Sequence, residues 1–221
     1  MKLLLNATVK FLIGFLLIAL LLFIPAGDIN YLGAWRFIIL LFVPVLIVGI
    51  VLFIKSPELL KKRIDGKEKE GTQKGVVAFS ALIFLSGFII AGLDYKFAWS
   101  YVPDWVVIVA SVLFLLSYII YAEVMRENAY LSRTIGVHEG QKVVDTGLYS
   151  FVRHPMYGAT VIMFLSIPAI LGSWWALVPF AMYPAVIVCR IKNEEKLLLL
   201  NLNGYTEYIK KVKYRLIPFI W

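Results

Sequence analysis

The chain has 221 residues, of which 61% are hydrophobic and only 16% charged, against roughly 25% charged in an average soluble domain. That balance excludes an ordinary soluble enzyme and points to an integral membrane protein, an all-α polytopic bundle in a single domain spanning residues 1–221. The net charge of +8 lies beside apolar segments, where a positive-inside bias and attraction to anionic membrane lipids account for it without nucleic acid, and the lone cysteine, Cys189, excludes an intrachain disulfide.

The first apolar run, Phe11 to Pro25, follows Lys2 and Lys10 and has no small-residue cleavage motif after it, so it is expected to stay as a signal anchor. A second run, Ala34 to Ile54, contains Pro44. Lys55 to Lys74 is strongly basic and suits a solvated cytoplasmic loop. Spans three and four follow, Gly75 to Leu93 and Trp105 to about Tyr121. They are joined by Asp94 to Asp104, a turn with one lysine and the aromatics Tyr95, Trp99 and Tyr101, suited to the opposite membrane interface. Residues 1–122 therefore hold four predicted spans.

Residues 123–221 differ in character. A polar segment from Glu123 to Met156 leads into the apolar stretch Tyr157 to Ile191, too long for one crossing at about 1.5 Å per residue through about 30 Å of hydrocarbon. Gly172 and Ser173 are the natural place to fold it into a helical hairpin. The basic residues then fall into alternate loops, which predicts six transmembrane segments with N- and C-termini cytoplasmic.

Two clusters could carry chemistry. Gly147, Tyr149, Arg153, His154, Pro155, Met156 and Tyr157 gather ionisable and aromatic groups where a polar segment meets an apolar one, and ionisable residues at such a boundary need partners. Pro155 suits the first turn of a helix, since the N–H it lacks has no helical partner there. The second cluster is Arg190, Glu194 and Glu195 at the far end of the hairpin. Arg190 and Glu194 are four apart and share a helix face, while Glu195 is turned about 100° away. The hairpin brings both clusters to one membrane boundary. His138 and His154 are the only histidines and no metal-ligand spacing is present, so no metal is expected.

Gln141-Lys142-Val143-Val144, Gly147-x-Tyr149, Arg153-His154-Pro155-x-Tyr157-x-Gly158, Arg190-x-x-x-Glu194-Glu195, Tyr205-x-x-Tyr208 and Leu216-Ile217-Pro218 occur in that order. Together, over about Asn128 to Phe219, they resemble the isoprenylcysteine carboxyl methyltransferases and related phospholipid methyltransferases. The resemblance implies S-adenosyl-L-methionine as cofactor and a lipidic or small hydrophobic methyl acceptor, in a pocket at the cytosolic face closed by the C-terminal segment. It implies that Gln141, Lys142, Val143, Val144, Gly147 and Tyr149 line the cofactor pocket, that Arg153, His154, Pro155, Met156 and Tyr157 wall it, and that His138 hydrogen-bonds the cofactor. Glu194 would hold the cofactor's ammonium group and Arg190 would face the acceptor. An amine or thiol acceptor must lose a proton, for which Glu195 or His154 is the candidate base; a carboxylate needs none. Leu148 stands where the family often has proline, a departure expected to loosen the loop before Tyr149. Competing expectations are an NADPH-dependent membrane reductase resembling the sterol reductases, through Val212, Tyr214, Arg215, Ile217 and Pro218, and a small transporter.

Overall fold

The computed structural model describes residues 2–64, 71–128, 130–131, 136–137 and 140–221. Its regular structure is helical: α1 (Lys2–Ala26), α2 (Leu32–Lys55), α3 (Pro57–Ile64), α4 (Gly71–Phe97), α5 (Asp104–Glu127), a 3₁₀ turn (Gly147–Ser150), α6 (Pro155–Leu171), α7 (Leu177–Phe180), α8 (Tyr183–Asn201) and α9 (Tyr205–Lys211).

Helices α1, α2, α4 and α5 are long and apolar enough to cross a membrane. They are apolar all round: of the 25 residues of α1 only Leu22 and Ala26 are buried, and Leu5, Ile13 and Ile24 point outward. Such surfaces far exceed the apolar patches that water tolerates, and hydrocarbon is the solvent they fit. Six crossings are expected from the sequence; α6 and α8, its last two segments, are not among the four helices that meet the length and hydropathy of a span. Helix α6 has 17 residues, roughly 25 Å at about 1.5 Å per residue, and nine of them are buried within the protein. Helix α8 carries charge from Arg190 onward. The fold at Gly172 lies where the sequence suggests it: Gly172 caps α6 in the left-handed conformation at φ +79°, and the chain returns through α7 into α8.

The core runs through the middle of the bundle. Leu22 of α1, Phe37 of α2, Phe88 of α4, Phe114 of α5, Ile170 of α6 and Phe180 of α7 belong to one buried cluster, and α6 packs most extensively against α5. Gly92 sets the approach of α4 to α1, because a Cβ there would lie 2.8 Å from the Leu22 carbonyl oxygen. Helix α3 falls in the basic segment that the sequence presents only as a loop. Lys67 and Lys69 of that segment are outside the described residues.

One end of the bundle is tied by a carboxylate. Asp94, 1% exposed near the end of α4, accepts hydrogen bonds from the Ser100 amide at 2.8 Å, the Ser100 hydroxyl at 2.5 Å and the Ser173 hydroxyl. Ser173 in turn accepts from the Ala176 amide at 3.0 Å, and Ser100 from the Trp174 amide at 3.1 Å. The α4–α5 turn is thereby joined to the α6–α7 turn, and Trp99, Tyr101, Trp105 and Trp175 project from this end as an aromatic fringe. Hydrogen bonds to a charged group contribute about 1.5–3 kcal/mol each, and a stranded buried donor is costly. Asp94→Ala is therefore expected to lower stability by roughly 3 kcal/mol, with Asp94→Asn losing less, as measured by thermal unfolding in detergent.

Candidate functional site

The site is built where α5, the Gly147–Ser150 turn, the N-terminus of α6, the charged half of α8 and α9 meet. Gly147 starts the turn with φ +50°, and a Cβ on it would collide with the Glu127 carboxylate at the end of α5. Glu127 also accepts a hydrogen bond from the Leu148 amide at 3.1 Å, a bond that proline could not donate. Tyr149 is buried, its hydroxyl accepts from Asn128 Nδ2 at 3.0 Å, and its carbonyl accepts from the Tyr208 hydroxyl at 2.7 Å. Burial pushes the Tyr149 phenol up to about 12, against the opposing effect of the Asn128 hydrogen bond, so it stays protonated at neutral pH.

Beyond the turn the chain meets its own C-terminal segment. The Arg153 amide donates to the Tyr214 carbonyl and the His154 amide to the Arg215 carbonyl, both at 2.9 Å. Arg153 Nη1 donates to the carbonyls of Val212 at 2.7 Å and Lys213 at 2.9 Å. Glu195, 4% exposed, completes the junction: Oε1 is 2.7 Å from Arg153 Nε and 3.4 Å from His154 Nε2, and Oε2 is 2.7 Å from Arg215 Nε. Burial raises the carboxyl's pKa, but the hydrogen bonds from His154, Arg153 and Arg215 outweigh it and hold the group at about 2.

One turn into α6, the Tyr157 hydroxyl donates to Glu194 Oε2 at 2.6 Å and accepts from Arg190 Nε at 2.9 Å. A single phenol thus fixes both side chains of the α8 face that carries Arg190, Glu194 and Leu198. These residues line a cavity together with Gln141, Lys142, Val143, Val144, Tyr149, Arg153, His154, Met156 and Tyr157. Of the residues expected at the site, Gly147 and Pro155 support its walls without lining it. Glu195 faces the junction with the tail, and His138 lies outside the described residues.

The lining also includes Asn128, Tyr130, Leu202, Tyr205 and Tyr208, which were not anticipated as site residues. Tyr205 and Tyr208 are one helical turn apart on α9, a spacing the motif shows, yet whether they face the cavity or water depends on how α9 docks. It docks through Leu202, Tyr205, Tyr208 and Val212 against Val137, Val143 and Leu198. The Tyr205 hydroxyl is buried and has no hydrogen-bond partner among the described residues. An orphaned donor on a cavity wall is a place for a ligand acceptor.

Among the described residues no group of His, Cys, Asp and Glu is placed to hold a metal ion.

Breaking a buried ion pair on one side typically costs about 3–5 kcal/mol. Glu195→Gln is expected to destabilise the protein by that order, through Arg153 and Arg215 left uncompensated. Because the folded carboxyl is depressed, its contribution is complete above pH 4.5, its ordinary value, and is lost as pH falls toward about 2. Melting curves of wild type and variant should differ by a constant amount from pH 7 to 5 and converge below that range.

No curated protein matches the chain. Residues 105–202 match the model of the phospholipid methyltransferase family. The match takes in α5, the Gly147–Ser150 turn, α6, α7 and α8, and so both Tyr157 and the Arg190/Glu194 pair it holds. Through this segment the chain is similar to the phospholipid methyltransferase family.

Proposed function

We propose that the protein transfers a methyl group from S-adenosyl-L-methionine to a lipidic or small hydrophobic acceptor bearing a carboxylate, amine or thiol, at the cytosolic face of the membrane. The observation that carries this reading is the Arg190–Tyr157–Glu194 arrangement on one wall of the cavity. The donor set suits the cofactor. Glu194 offers a carboxylate for an ammonium group, Gln141 to Val144 offer backbone groups, and the Tyr205 hydroxyl, without a partner among the described residues, offers a hydrogen bond. When bound, S-adenosyl-L-methionine supplies a methyl group already activated on a sulfonium.

The protein's own work is then placement. Tyr157 holds the Glu194 carboxylate in one orientation, so its charge is aimed before a ligand arrives. The same phenol orients Arg190, which is assigned to the acceptor and can meet an anionic group. Val143, Leu198, Leu202 and Tyr205 give that space part of its apolar wall. A carboxylate acceptor requires no base. For an amine or thiol, His154 is the candidate, since it lines the cavity. We assign Glu195 to positioning His154 and Arg153, since its oxygens already serve Arg153, His154 and Arg215.

In this reading residues 1–122 supply the membrane frame and 123–221 the transfer site, with no metal involved. Glu194→Gln removes the charge while leaving an oxygen to accept from Tyr157. It is expected to weaken S-adenosylmethionine and S-adenosylhomocysteine binding by at least on the order of tenfold in calorimetry, with an unchanged melting temperature. Unchanged affinity would remove Glu194 from the cofactor pocket. Arg190→Ala is expected to keep cofactor affinity and lose methyl transfer across a panel of lipid amines, prenylcysteine analogues and thiols. Loss of both would make Arg190 cofactor-directed.

A further inference from the structure

A second groove lies on the other side of α8. It has a volume of about 630 Å³ and runs past Val76 of α4, Cys189, Lys192, Lys196 and Leu199 of α8, and Arg215 of the tail. At about 100° per residue, Arg190, Glu194 and Leu198 occupy one face of α8, and Cys189, Lys192, Lys196 and Leu199 fall on the opposite one. The groove is therefore separate from the cavity that holds Arg190 and Glu194.

Its charge is one-sided. Lys192 and Lys196 are exposed, stand four residues apart, and have no acidic partner among the described residues. Like charges at this spacing repel along a helix. The carboxylate lining the groove belongs to Glu195, whose oxygens already serve Arg153, His154 and Arg215. Arg215 is about one-third exposed on its outer side and adds a third cation. The rest of the lining is Asn193 and the apolar Val76, Cys189 and Leu199, and Val76 stands two residues inside the apolar helix segment Lys74–Phe97 that is long enough to cross the membrane. Leu199 and Leu200 continue the apolar surface outward, 47% and 81% exposed.

We propose that this groove binds the phosphodiester headgroup of an anionic phospholipid, with Lys192, Lys196 and Arg215 around the headgroup and the Val76–Leu199 surface against an acyl chain. A free phosphate would satisfy the cations and leave the apolar surface uncovered; a membrane lipid satisfies both. The occupant is distinct from the methyl acceptor because the groove and the Arg190 face are on opposite sides of α8. Arg215 also places the headgroup one residue away from the carboxylate that holds Arg153 and His154. The proposal stands whether or not the cavity transfers a methyl group.

The test uses the full chain purified in detergent, with phosphatidylglycerol and phosphatidylcholine as probes and lipid retention measured by native mass spectrometry. Near a membrane surface each lysine contributes about 1 kcal/mol toward anionic lipid, or about fivefold in affinity. Wild type is expected to retain phosphatidylglycerol in preference to phosphatidylcholine. Lys196→Gln should lose about fivefold of that preference, and the Lys192→Gln/Lys196→Gln double variant on the order of thirtyfold. Lys210→Gln/Lys213→Gln, on the exposed outer side of α9 and the tail, should keep it. Equal retention of the two lipids by wild type, an undiminished preference in both α8 variants, or an equal loss in the tail variant would overturn the assignment.

Discussion

The buried carboxylate of Glu195 is the constraint on which the rest of the site depends. It is shared by Arg153, His154 and Arg215, which come from the segment before α6 and from the tail after α9. A buried charge is tolerated only when its partners are present and well placed, so three stretches far apart in sequence must assemble together or not at all. The backbone bonds from Arg153 to Tyr214 and from His154 to Arg215 lock the same junction independently of charge. Once it is closed, α9 is held against Val143 and the walls of the cavity are set.

The membrane frame works by the opposite logic. Its outward residues are apolar because hydrocarbon does not discriminate among them, so α1 and α2 need few specific contacts and bury few side chains. Specificity enters where backbones approach closely, as at Gly92, or where a polar group is enclosed, as at Asp94. Helix α6 belongs to the second kind of environment. Nine of its 17 residues are buried, and it packs against α5 and α8.

This division explains what the sequence made legible. Runs of apolar residues and alternating basic loops disclosed the four long helices, and Gly172 disclosed the turn after α6, because each rests on local chemistry. The helix start at Pro155 was visible for the same reason. The packing of α6 against α5 was less legible, since hydropathy cannot tell an apolar helix packed in protein from one packed in lipid. Asp94 looked like a loop-flanking acid, because its partners Ser100 and Ser173 meet it only after two turns converge. Glu127 escaped notice as well: nothing in the spacing between 127 and 148 signals that its side chain will receive an amide.

The adjacent pair Glu194 and Glu195 shows where such reasoning stops and why. Neighbours on a helix diverge by about 100°, so the sequence establishes that the two carboxylates face different surroundings. It does not establish which faces which, because that follows from the docking of α8 against α6 and the tail. In the fold Glu194 meets a neutral phenol on a cavity wall, whereas Glu195 meets the guanidinium groups of Arg153 and Arg215. A carboxylate already paired with two guanidinium groups has little left to offer a ligand, while one steadied by a phenol does. Environment therefore separates a carboxylate open to the cavity from one enclosed among cations between residues of identical chemistry, and Tyr157 and Arg215 are the side chains that draw the line.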